Sequence, residues 1–193
     1  MARITPTPSE LAIPAASLTA LRRALTEDVG PEKAARALQQ AGFAAGDAIF
    51  AMLAGPASAG RDAPESGADA EAVARLPGSV FWRRLSDLFA ARGWGRLSHE
   101  DLHPGLGCLE SSDWIEADPA AGASRPSCFF TVGLLANLLG RIAGQPIGVL
   151  EVECRSRGDL RCRFLFGGSA AVDPIYAATL EGRTVEESLA ELV

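Results

Sequence analysis

Three cysteines and one glutamate restrict this chain more than any other feature. Cys128 opens an apolar run with helical spacing (Leu135, Leu138, Leu139, Ile142), Cys154 ends a strand-like run that begins at Ile147, and Cys162 lies at the start of another, Arg161 to Phe166. Gly158-Asp159 supplies a turn between the two runs, so they pair as a hairpin. A hairpin packed on the helix start brings three thiols together, and Glu151, three residues before Cys154, can add a carboxylate. Thiolates are soft ligands, and a closed four-ligand set of this type suits zinc. The competing reading of the same residues is buried free thiols that pack as small hydrophobes. Parity adds a condition. Glu151 and Cys154 are an odd number of residues apart and would face opposite sides of a regular strand, so the metal reading needs a bulge or a strand end between them. Arg155, Arg157, Arg161 and Arg163 surround the hairpin, either to offset an anionic centre or to solvate its face.

Leu18, Leu21, Leu25, Ala34 and Leu38 predict two or three short helices between Ser17 and Leu53, interrupted at Gly30-Pro31 and Gly42. Residues 55–77 have almost no large apolar side chain and read as a flexible loop. Phe81, Leu85, Leu88 and Phe89 predict an amphipathic helix, opened by Gly78-Ser79 and closed by Gly93, with Trp82 on its edge. Trp94–Leu102 and Leu106–Ala117 read as two strands joined at His103-Pro104-Gly105. Asp118–Pro126 is a second small-residue loop, of the kind that moves over a pocket. Ser127 is the expected cap of the helix over 128–143. Gly133 and Gly140 share a face of that helix and mark the approach of another backbone, within the fold or across a dimer, unless they are simply tolerated. In the tail, one helix is expected to start at Asp173-Pro174 and another at the capping box Thr184-x-x-Glu187. The fold class is therefore α+β, an antiparallel sheet with packed helices. It divides into a helical segment (1–54), a loop (55–77), a core (78–170) and a helical tail (171–193).

Composition removes several functions. The chain has 193 residues, 48% of them apolar, which excludes wholesale disorder. Eighteen Lys+Arg against 24 Asp+Glu give 18 − 24 = −6, so no global positive field draws it to nucleic acid or anionic lipid. The N-terminal MARITPTPSE has no apolar core of the secretory type, and the longest apolar stretch, Phe129–Gly140, is broken by Thr131 and Asn137. The expected location is cytoplasmic, with no membrane partner. There is no phosphate loop, no dinucleotide fingerprint, no nucleophile elbow and no basic recognition helix. His99 and His103 fit structural roles.

The stretch Cys128–Phe166 resembles the 4-vinyl reductase domain family: a cysteine opening a glycine-containing helix, Gly-x-Pro before a strand, then Glu-x-x-Cys and Gly-Asp-x-x-Cys. The region from Phe81 to Ala117 is compatible with the rest of such a domain. The resemblance implies structural zinc held by Cys128, Glu151, Cys154 and Cys162, as in the sensor domains of phenol-responsive regulators. Cys108 has no counterpart and reads as a strand cysteine. The resemblance further implies a fold like that of transport-particle (TRAPP) subunits, a buried apolar pocket and a homodimer. Phe81, Trp82, Trp94, Trp114, Phe129 and Phe130, together with Phe89, flank the elements that would enclose such a pocket, although ordinary core packing accounts for any one of them. The function expected is a non-enzymatic, zinc-containing domain that binds a small hydrophobic or aromatic molecule. It would act as a stand-alone sensor, carrier or adaptor whose output passes through a regulatory protein partner. One alternative is an accessory or catalytic part in vinyl-group reduction on a chlorophyll precursor. Another is a protein-binding scaffold with Gly133 and Gly140 at the dimer face.

Overall fold

The computed structural model describes Leu11, residues 13–54, Val73 and residues 75–190. Of the expected loop at 55–77, residues 55–72 and 74 lie outside the described residues, as do the first ten residues, Ala12 and the tail's Leu192. Two helices open the described part, α1 (Ala15–Val29) and α2 (Pro31–Ala54). After α3 (Gly78–Ala91) come strands β1 (Ser98–His103) and β2 (Leu106–Ser111), then helix α4 (Phe129–Ala143). The hairpin follows as β3 (Gly148–Glu153), a 3₁₀ turn at Arg155–Arg157 and β4 (Cys162–Gly167). Helices α5 (Ser169–Leu180) and α6 (Val185–Ala190) close it.

The four strands form one antiparallel sheet in the order β1-β2-β4-β3. Period-two alternation gives the sheet two apolar faces. Leu109, Cys162 and Phe164 face a core shared with α2, α3 and α4, whereas Leu106, Cys108 and Leu165 face a smaller one closed by Val172 and Ile175 of α5. The α+β expectation holds, with helices on both faces.

Several boundaries differ from the sequence reading, each for a physical reason. Gly42 does not interrupt α2. It lies at the crossing with α4, where a Cβ would come 1.9 Å from the Phe130 carbonyl oxygen. On the facing helix, a Cβ on Gly133 would lie 2.0 Å from the Gln39 carbonyl oxygen. The two glycines let the backbones touch, so Gly133 serves an intrachain crossing rather than a dimer face. Gly140 meets only Gln145 and Ile147, in the turn that follows its own helix. The strands β1 and β2 are shorter than expected, because Trp94–Leu97 and Asp113–Ile115 join by single bonds: the Arg96 amide donates to Asp113 Oδ1 and the Ile115 amide to the Trp94 carbonyl. Helix α5 starts at Ser169, not at Asp173. The Ala171 and Val172 amides donate to the Gly168 carbonyl, leaving Pro174 inside the helix. The capping box forms as expected, with the Thr184 amide donating to Glu187 Oε2 at 2.8 Å and the Glu187 amide to Thr184 Oγ1 at 3.2 Å.

Candidate functional site

The centre is built on the N-terminus of α4 and the end of the β3–β4 hairpin. Cys128 is the N-cap residue of α4, Cys154 follows β3, and Cys162 begins β4; all three have 0% relative exposure. Their ligand atoms and a carboxylate oxygen of Glu151 all lie within 4.8 Å of one another. The parity condition is met by a bulge: Glu151 pairs with Phe164 and Glu153 with Arg163, so Val152 and Glu153 together oppose one residue of β4. The extra residue returns Cys154 to the face that carries Glu151.

The donor set fits a tetrahedral ion. Cys128 Sγ lies 3.8 Å from Cys154 Sγ and 3.9 Å from Cys162 Sγ. With zinc–sulfur bonds of about 2.3 Å, the edge of a tetrahedron is about 3.8 Å. Glu151 divides its two oxygens. Oε2 accepts the Cys128 amide at 2.7 Å, while the buried Oε1 has no hydrogen-bond partner and is free for a cation. Without a counter-charge the acids press on one another. Hydrogen bonding to Cys154 and Cys162, then burial, pushes the Cys128 thiol well up. The bonds from Cys128 and Cys162 push Cys154 strongly down. The bond from Cys128 lowers Cys162, but the bond from Cys154 and burial together raise it further, so it rises overall. Burial and then the Cys154 charge push Glu151 up to about 9. A dication relieves this crowding.

The loop between Cys154 and Cys162 is clamped locally. Asp159 Oδ2 accepts the Cys154 amide at 2.7 Å and Arg157 Nε at 2.8 Å, and Gly158 takes φ 98°, a left-handed conformation that suits glycine. Three of the four hairpin arginines are held by carboxylates rather than by the centre. Arg161 pairs with Glu110 and Glu153, Arg163 with Glu110, Glu153 and Glu186, and Arg157 with Asp159. Backbone amides approach the sulfurs instead, from Ser127 to Cys154 and from Arg155 to Cys162. The 118–126 loop lies on this knuckle: the Asp118 amide donates to Ser156 Oγ and the Ala123 amide to the Ser156 carbonyl.

Ser127 does not cap α4. The missing cap is Glu116, buried at 3% exposure, whose carboxylate accepts the Phe130 amide at 2.9 Å and the Thr131 amide at 2.8 Å. It also accepts the Thr131 hydroxyl, which in turn accepts Trp114 Nε1 at 2.7 Å. Arg22 of α1 donates to the Glu116 carbonyl. Burial raises Glu116 to about 7, against the lowering effect of these bonds. No local motif marks Glu116 as a cap, since it acts across 14 residues.

The aromatic residues divide into two groups. Trp94, Trp114 and Phe130 pack with Phe89 and Phe164 at centroid distances of 5.2 to 6.4 Å, and Trp114 is 1% exposed. Phe81 and Trp82 instead line an apolar hollow of about 250 Å³ with Leu139, Ile142, Ile147 and Phe166. Trp94, Trp114, Phe129 and Phe130 do not line it. Trp82 also borders a polar groove of about 570 Å³, where it stacks on His99 at 3.9 Å. Burial lowers the His99 pKa and favours the neutral ring.

Residues 112–167 match the family model of the 4-vinyl reductase domain. The resemblance at Cys128–Phe166 falls inside this segment. The fold of this chain is similar to that of the phenol-responsive sensory domain of the transcription activator PoxR, solved with phenol, at 19% identity and TM-score 0.58 over 82% of this chain and 76% of that one. A vinyl-4-reductase family protein from Methanocaldococcus jannaschii matches at 25% identity and TM-score 0.39, over 44% of this chain and 55% of that one. Among curated proteins, none matches this chain. No helix among the described residues is long and apolar enough to cross a membrane.

Proposed function

We propose that this chain is a small-molecule-sensing domain that holds one structural zinc ion and binds a small hydrophobic or aromatic compound without transforming it. The observation that carries the reading is the buried quartet, whose sulfur separations of 3.8 and 3.9 Å match the edges of a zinc tetrahedron. Cys128, Cys154, Cys162 and Glu151 Oε1 would hold the ion, which when bound supplies a cross-link between α4 and the hairpin and leaves no open position for chemistry. The hollow behind Phe81 and Trp82 is the place for the ligand, because its lining is apolar and three aromatic rings, those of Phe81, Trp82 and Phe166, border it. The likeness to a domain solved with phenol supports an aromatic ligand class. Action as a stand-alone sensor, carrier or adaptor, a homodimeric state and a regulatory protein partner belong to the same proposal.

The test is metal analysis of freshly purified protein together with native mass spectrometry. About one zinc per chain and an apolar adduct that Trp82→Ala removes are the expected results. Protein that is folded, metal-free and adduct-free overturns the reading.

A further inference from the structure

We propose that Glu116 is a positioning residue of the metal centre, holding the first turn of α4 so that Cys128 can complete the ligand set. The inference rests on the zinc reading above and concerns a residue outside the ligand quartet. The first amides of a helix have no partners within it, and buried amides need an acceptor. Neither Ser127 nor Cys128 supplies a side-chain cap. Two carboxylates share the task. Glu151 accepts the Cys128 amide, and Glu116 accepts those of Phe130 and Thr131. This division matters chemically. Because Glu116 satisfies the second and third amides of the helix, Glu151 need offer only Oε2 to the backbone and keeps Oε1 for the cation.

The geometry around Glu116 is fixed from three sides. Trp114 Nε1 donates to Thr131 Oγ1, which commits the hydroxyl hydrogen to Glu116. Arg22, reaching over from α1, donates to the Glu116 carbonyl and to Ser127 Oγ, one residue before Cys128. The charged and titratable groups that bear on the carboxylate are Arg22 from α1 and the Cys128 thiol from α4. Every hydrogen bond made to this carboxylate is a donation from the first turn that presents Cys128. A carboxylate buried to this extent is held at a cost to stability, which an ordinary cap at Ser127 would not incur. What the cost secures is position.

Zinc release to excess chelator at pH 8 tests the idea, with the unfolding midpoint of each variant measured in saturating zinc. Glu116→Gln keeps one acceptor oxygen but turns an amide group toward a backbone donor. We expect it to release zinc about tenfold faster, within the 10- to 100-fold range for outer-shell partners, while its unfolding midpoint stays level or rises. Glu116→Ala, which keeps no acceptor, is expected to release zinc faster still. Release within about threefold of the parent for both variants overturns the proposal, as does a release rate that tracks a lowered midpoint. If Glu116→Ala does not fold, Glu116→Gln decides alone. A parent protein without zinc refutes the metal reading itself, which is a different result from a zinc-loaded parent with indifferent variants.

Discussion

Gly133 and Gly140 lie on the same face of α4, yet alanine at the two positions should give unequal results. A Cβ on Gly133 would lie 2.0 Å from the Gln39 carbonyl oxygen and 2.9 Å from the Phe43 amide nitrogen. Both are main-chain atoms of α2, so no rotamer change relieves the overlap. The helices must part by about 1 Å or more to restore ordinary contact. Overpacking costs about 1–3 kcal/mol, and two helical backbones in direct contact place this case at the upper end. Alanine returns about 1 kcal/mol of helix propensity. The net loss is about 2 kcal/mol, which lowers the unfolding midpoint of a chain this long by about 4–8 °C. At Gly140 the nearest atom is the Gln145 carbonyl oxygen at 3.3 Å, in the turn after the helix. That turn can yield by a few tenths of an ångström, so Gly140→Ala should stay within about 0.5 kcal/mol of the parent. Thermal unfolding followed by circular dichroism in saturating zinc measures both. Gly133→Ala at parental stability, or equal shifts for the two variants, would refute the crossing argument.

Removing one sulfur should dismantle the centre. Cys154→Ser is expected to lower zinc from about one per chain to a small fraction and to open the β3–β4 hairpin, seen as lost amide-exchange protection; full zinc content would show that another group serves as ligand. Stability should also depend on pH through Glu116. Its value is raised from 4.5 to about 7, so the folded chain keeps a proton that the unfolded chain releases between those values. The contribution is fully present below about 4.5 and is lost as pH rises through 7, by up to about 3 kcal/mol. The stability of the parent relative to Glu116→Gln should therefore fall from pH 5 to pH 8, and a flat difference would exclude this linkage. Thr184→Ala removes one half of the capping box of α6 and should cost about 1 kcal/mol; an unchanged denaturant midpoint would mean that the short helix adds nothing to global stability.

The Cys/Glu cluster and the hairpin are legible because their signals are local: a turn at Gly158-Asp159, apolar runs on each side, and fixed cysteine spacing. Even the need for a bulge followed from counting residues between Glu151 and Cys154. Helix α2 was misread at Gly42 because a glycine that breaks a helix and one that lets another helix approach look alike until the partner is known. Glu116 escaped notice for a similar reason, since a cap supplied from 14 residues away leaves no mark beside the helix it serves. The aromatic residues gave a composition without an arrangement. Sequence alone could not say that Trp82 faces a hollow while Trp114 is sealed against Phe89 and Phe164.

The bulge at Val152 and Glu153 compensates for an odd residue count, so the centre depends on strand pairing as much as on composition. A variant lacking Val152 would keep every one of the four donor residues, with Glu151 and Cys154 now two apart. Its third strand could run regularly against β4 and still present both to the same side of the sheet. A homologue with a single-residue deletion here is therefore a straightened version of the same donor arrangement, whereas one that keeps the three-residue spacing but pairs without the bulge would turn Cys154 away from the other three donors.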